Sequence, residues 1–155
     1  MTERLIDGLK VLIASILPYL ELRGAIPLAW QLGFGPIEAY ILAVTGNMIP
    51  VIPIMLLIEP VLKSLSKILL MKKFCEWVLI RSRLQAPRVQ KYGFWGLALF
   101  VAVPLPMTGA WSGAAIAFIL GMRKRVALLS IFLGVLTAGL IVTSLTYGLA
   151  YLFGK

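Results

Sequence analysis

The sequence predicts an all-α membrane protein: an inverted repeat of a re-entrant helical hairpin plus a transmembrane helix, joined by a basic amphipathic linker. Three observations lead there. Of 155 residues, 61% are hydrophobic and the mean hydropathy is +0.98, well beyond the apolar share of soluble domains. Two of the apolar blocks are interrupted by proline and glycine near their middles. The basic residues collect between and after those interrupted blocks rather than spreading along the chain.

The first apolar block, residues 11–34, is broken in the stretch Leu17-Pro18-Tyr19-Leu20-Glu21-Leu22-Arg23-Gly24-Ala25-Ile26-Pro27. Each side of the break holds roughly ten to fourteen residues, which as helix reaches about half of a bilayer. Two such pieces can enter and leave by one face. Block 37–58 is long enough to cross, with a bend expected at Pro50 and Pro53. The linker 59–92 is not a span. There Val61, Leu62, Leu65, Ile68 and Leu69 form an apolar stripe opposite Lys63, Ser64, Ser66 and Lys67. Such a helix lies on an anionic leaflet or packs beneath the bundle. Block 94–122 is split by Pro104-Leu105-Pro106-Met107-Thr108-Gly109, and block 126–153 is a second full span. The whole chain reads as one transmembrane domain: repeat 1 at about 8–58, the linker, and repeat 2 at about 93–153.

Charge placement favours re-entry. Lys63, Lys67, Lys72, Lys73, Arg81, Arg83, Arg88 and Lys91 crowd the linker, and Arg123, Lys124 and Arg125 follow the second broken block. A full span at 94–122 would put these two clusters on opposite sides, against the positive-inside rule. A hairpin keeps both in the cytoplasm, with both termini extracytoplasmic in the plasma membrane. An offset of 88 residues supports a repeat: it pairs Gly8 with Gly96, Leu17-Pro18 with Leu105-Pro106, Leu32-Gly33 with Leu120-Gly121, and Gly46 with Gly134. One true crossing per unit would make the halves run in opposite directions, the plan of many secondary transporters.

Glu21 and Arg23 are the residues to explain. Ionisable groups inside a membrane cost roughly 2.5–3.5 kcal/mol each on insertion scales, so they mark pathways for substrate or protons. A structural ion pair tying the hairpin is the competing explanation. Pro18, Pro27, Pro104 and Pro106 are read as helix breaks, with half-helices beginning near Gly24 and Gly109. Helix N-termini attract anions, and a guanidinium has a donor fork suited to phosphate or carboxylate. Arg23, Gly24, Thr108, Gly109, Trp111 and Ser112 are therefore the expected substrate-binding residues. Glu21 is the expected proton-coupling group. Thr108 could instead act only as a helix cap, and Trp111 could line the lipid or dimer boundary. Asn47, mid-span, reads as interhelical glue.

Composition excludes other classes. The net charge of +9 is mostly in one loop, which suits an anionic lipid surface and not nucleic acid. There is one cysteine, Cys75, and no histidine, so no disulfide framework, no His/Cys metal site and no cofactor is expected. Without clustered carboxylates in the membrane, an enzyme fits poorly.

At Pro18–Pro27, and at Phe100-Val101-Ala102-Val103-Pro104-Leu105-Pro106-Met107-Thr108-Gly109-Ala110-Trp111-Ser112-Gly113, the chain resembles the small multidrug export protein family. That family is distantly similar to the DedA-type membrane proteins with a VTT domain. The resemblance implies two opposing re-entrant loops and, through the DedA-type relatives, handling of polyprenyl phosphate or phospholipid. It also implies that charged loop residues serve proton-dependent activity. DedA-type proteins carry arginines in the second loop, where this chain has Thr108, Trp111 and Ser112.

The expected function is a proton-coupled secondary transporter or flippase for an anionic amphiphile such as a polyprenyl phosphate carrier lipid. One alternative is a proton-coupled exporter of small cationic or drug-like molecules, with Glu21 as the cation site. Another is a non-transporting membrane scaffold. Membrane lipids, protons and a second copy of the chain, as a homodimer, are the expected partners.

Overall fold

The computed structural model describes residues 2–57, 80, 92–105 and 108–153, and among them every regular element is a helix. The helices are α1 (Thr2–Ile16), α2 (Glu21–Gln31), α3 (Pro36–Leu57), α4 (Tyr92–Ala102), α5 (Ala110–Ile119) and α6 (Lys124–Leu152). α3 and α6 are long and apolar enough to cross a membrane; α4 and α5 are short apolar helices. Apart from residues 80 and 92, the basic amphipathic linker 59–92 falls outside the described residues, as do Pro106 and Met107.

α1 begins at Thr2, so it runs through the charged N-terminal residues before entering the apolar block. Its inward face is Val11, Ala14 and Ser15. The chain breaks at 17–20, around Pro18, and resumes as α2 at Glu21, not at Gly24 as the sequence suggests. Backbone bonds from Glu21 N–H to the Leu17 carbonyl (2.9 Å) and from Gly24 N–H to the Leu20 carbonyl (2.8 Å) carry the chain across the break and restart the helix early. Pro27 does not break anything. It lies inside α2, where its missing N–H frees only the Arg23 carbonyl and the flanking turns persist.

Both short inner helices end in the same way. Gly33 and Gly121 take φ of +78° and +60°, the left-handed conformation that glycine adopts without a Cβ penalty. In each, the glycine N–H bonds three residues back, to Trp30 or Phe118 (3.0 Å in both). The next N–H reaches five residues back, to Ala29 (3.0 Å) or Ala117 (2.9 Å). This is a Schellman turn at each place. Pro36 then opens α3, and the Glu38 carboxylate accepts the Gly35 N–H at 3.2 Å. α3 is regular through Met48, turns at 49–50, and continues over 51–57. That is the bend expected of Pro50, which has no N–H for the Gly46 carbonyl.

α3 and α6 run antiparallel. Tyr147 near the end of α6 donates to the Phe34 carbonyl at 2.7 Å, while Tyr40 donates to Leu136 at 3.3 Å, and Gly139 leaves room for Tyr40 and Val44. α2 sits between α1, α3 and α6, and α5 lies on α6. The core mixes alanine with valine, isoleucine and leucine, and buried glycines at 46, 113, 134 and 139 let backbones approach closely where lipid supplies no hydrophobic drive. Gly46 receives α1: a Cβ there would lie 2.8 Å from Ser15 and 2.9 Å from the Leu12 carbonyl. Gly134 receives α4 in the same way, against Val101 (2.6 Å) and the Ala98 carbonyl (2.7 Å). Ser15 bonds the Ala43 carbonyl and Ser130 the Phe94 carbonyl, pinning α1 to α3 and α4 to α6.

Thus the order helix, break, short helix, glycine turn, long helix occurs twice. Gly33 and Gly121, the starts of α3 and α6, and Gly46 and Gly134 all keep the 88-residue offset. The first helices do not. Leu12 and Ser15 correspond to Ala98 and Val101, so the sequence pairs Gly8/Gly96 and Leu17-Pro18/Leu105-Pro106 are two residues out of register. The reason is loop length: the second break, 103–109, is longer than the first, 17–20. Outward faces are lined by Leu5, Leu9, Ile13, Ile41, Leu99, Leu140 and similar residues, a surface suited to hydrocarbon.

Candidate functional site

The two breaks meet. Glu21 opens α2 with φ of +47°, a conformation that a side chain adopts at a cost of about 1–3 kcal/mol. The residue is 5% exposed, and its carboxyl lies against Gly109, so closely that any side chain at 109 would overlap it. There it accepts the backbone N–H groups of Ala110 and Trp111, the first two residues of α5. A carboxylate on a helix N-terminus interacts favourably with unpaired N–H groups and with the helix dipole. Gly109 is itself capped by Ser112, whose hydroxyl accepts the Gly109 N–H at 3.1 Å.

Arg23, one-fifth exposed, reaches the other side of the second break. Its Nη2 donates to the Thr108 carbonyl (2.7 Å), the Thr108 hydroxyl (3.0 Å) and the Val103 carbonyl (3.4 Å), while Nη1 stands 3.9 Å from the Glu21 carboxylate. The Thr108 hydroxyl sits 2.6 Å from the Val103 carbonyl and 2.9 Å from that of Leu105. Together the guanidinium and hydroxyl gather the carbonyls left over where α4 stops, a place that favours positive charge. The Arg23 Nε is buried with no acceptor among the described residues.

Trp111 completes a reciprocal arrangement. Its indole N–H donates to the carbonyl of Ile16, the last residue of α1, at 3.0 Å. Trp111 stands 88 residues after Arg23. Each therefore reaches from the short helix of one half to the end of the first helix of the other. Arg23 does so with charge, Trp111 without.

Of the expected site residues, Glu21, Arg23, Thr108, Gly109, Trp111 and Ser112 are brought together. Gly24 is not aimed at them: its α-carbon is packed against Leu20, where a Cβ would lie 2.9 Å from Cδ2. Pro18 and Pro104 lie in the breaks. The acceptors that complete the site, the carbonyls of Ile16 and Val103, are backbone atoms that residue-type reasoning passes over. The 88-residue offset pairs 21 with 109 and 23 with 111, and that signal could have revealed the contact.

A family model for "Putative small multi-drug export protein" matches residues 21–141, most of the chain, beginning at Glu21. The chain belongs to that family. Neither a curated protein nor a solved structure matches it. Family membership and the two apolar helices make it a membrane protein of a transporter-like export family; the second break and all six converging residues fall inside the matched segment, which begins just after the first break.

Proposed function

We propose that this protein is a proton-coupled secondary transporter that moves an anionic amphiphile, such as a polyprenyl phosphate carrier lipid, past a midplane site between two re-entrant loops. The supporting observation is the seat of Glu21. A carboxylate at the N-terminus of α5 is a tethered anion in a place that accepts anions, with a guanidinium beside it. Protonation removes its charge and weakens its hold on the Ala110 and Trp111 N–H groups. A phosphate head group then takes the vacated donors and Arg23, and loss of the proton returns the carboxylate and expels the ligand. The coupling is competition for one set of donors. Antiparallel α3 and α6, each preceded by a short helix and a glycine turn, support an inverted repeat with hairpins from opposite leaflets. A homodimer is the oligomer we propose.

The family description, small multi-drug export, favours a second reading, proton-coupled export of small cationic or drug-like molecules, in which Glu21 is the cation site and Arg23 its regulator. Proteoliposomes separate the two. With a fluorescent polyprenyl phosphate, Arg23→Ala abolishes movement, and Glu21→Gln leaves binding intact but removes its dependence on pH. If instead a cationic dye is transported and Glu21→Gln abolishes its binding, the anion reading fails. Topology is tested separately by single cysteines replacing Lys91 and Lys124. An impermeant reagent labels both from the same side; labelling from opposite sides excludes the hairpin.

A further inference from the structure

We infer that the face of α1 remote from the two breaks is a binding groove for one zwitterionic phospholipid, with phosphatidylethanolamine as its best ligand. The groove has a volume of about 460 Å³ and is lined by Arg4, Leu5, Gly8, Leu9, Leu12, Phe34 and Leu42. It is polar only at one end. There Arg4 donates both to Glu38 Oε2 (2.8 Å) and to Oε1 (3.0 Å), and its guanidinium lies 5.7 Å from the Phe34 ring centre. Both charged side chains are more than half exposed, so each keeps room for a further partner.

Depth decides the occupant. Glu38 is in the first turn of α3, a helix of 22 residues that is long enough to cross the membrane. Its first turn therefore lies at the head-group level. From there the groove follows α1 from Arg4 to Leu12, about 12 Å of helix, towards the membrane centre. Charge at the interface with an apolar channel beneath is the shape of a lipid and not of a second protein surface. The two signs specify the head group: phosphate for Arg4, and a hydrogen-bonding ammonium for Glu38. Gly8 makes the channel. A Cβ there would meet only Phe34 Cζ, at 3.9 Å, so the space beside it is open.

Gly8→Leu fills the groove while raising helix propensity, so it should not unfold α1. Native mass spectrometry of the purified full chain, with added phosphatidylethanolamine or phosphatidylglycerol, reads occupancy directly, and circular dichroism checks helix content. The wild type retains one phosphatidylethanolamine per chain in preference to phosphatidylglycerol. Gly8→Leu weakens retention about tenfold or more, and Glu38→Gln removes the preference between the two lipids. Equal retention of both lipids by the wild type overturns the assignment, as does undiminished retention by Gly8→Leu. A lipid-free wild-type dimer that Gly8→Leu converts to monomer also overturns it, because the occupant would then be a second copy.

Discussion

The carboxylate of Glu21 fills the space that a side chain at position 109 would need, and the two positions are 88 residues apart, the offset that also relates Gly33 to Gly121 and Gly46 to Gly134. The site thus lies where the start of α2 meets the start of α5, a glycine facing a glutamate. In this arrangement the charges serve the chain itself: Glu21 satisfies the start of α5 and Arg23 the end of α4. In the proposed mechanism the structural ion pair and the transport site are one, because the group holding the break closed is also the group whose release opens it.

Gly109→Ala should therefore be severe through Glu21 and not through the glycine's own backbone, which is extended at φ of −113°. The methyl group expels the carboxylate from its seat on the Ala110 and Trp111 N–H groups and leaves a buried charge short of donors. The expected loss of stability is about 3 kcal/mol or more. Combining it with Glu21→Ala should relieve part of the damage, giving a coupling of about 1–3 kcal/mol in denaturant titrations in detergent. Simple additivity of the two would contradict the contact.

Arg23→Lys keeps the charge and loses the fork. A single ammonium cannot hold the Thr108 and Val103 carbonyls with the geometry of Nη2. Melting temperature should fall, and hydrogen exchange should quicken at 103–105 and 108–109 while α3 is unaffected. In a Thr108→Val background the effect of Arg23→Lys should shrink, since the hydroxyl partner is already gone. Unchanged exchange around the second break would show that Arg23 does not cap it.

Trp111→Phe preserves most of the ring and deletes the donor to Ile16. The expected cost is about 1–2 kcal/mol, that of a carbonyl left unpaired at the end of α1. Its exchange signature should appear at 17–20, in the opposite break from that of Arg23→Lys. The decisive outcome is this crossing over: if both variants loosen the same break, the reciprocal arrangement is wrong.

Much of the fold was legible because it rests on patterns that membranes impose. Lengths of apolar runs located α3 and α6, and Pro18, Pro104 and Thr108-Gly109 located the breaks. Pro27 misled because a proline inside a membrane helix costs one hydrogen bond, not the helix. The start of α2 misled because Glu21 adopts a left-handed backbone, which no propensity assigns to glutamate. The register of the first helices was missed for a third reason. Unequal breaks shift α1 against α4 by two residues, while the glycines at 33, 121, 46 and 134 stay in step. Convergence of the site was foreseen by residue type; its internal pairing was not, since most of the partners are backbone atoms.

Glycines at turns and glycines at crossings should respond differently to one methyl group. Around Gly33 and Gly121 nothing lies within 4 Å of an added Cβ, so alanine there costs only the left-handed backbone, about 1 kcal/mol. Asparagine should cost less than alanine at both positions. At Gly46 and Gly134 the backbone is ordinary helix, but the methyl group would press on the Leu12 or Ala98 carbonyl and separate the first helix from the span. Neither carbonyl belongs to a flexible side chain, so the helices themselves must move. Alanine at 46 or 134 should therefore cost about 2–3 kcal/mol, and larger residues should block accumulation of folded protein. Thermal melts of the four alanine variants in one detergent rank them directly. If the turn variants proved the more damaging pair, the close packing of α1 on α3 and of α4 on α6 would not be what holds the halves together.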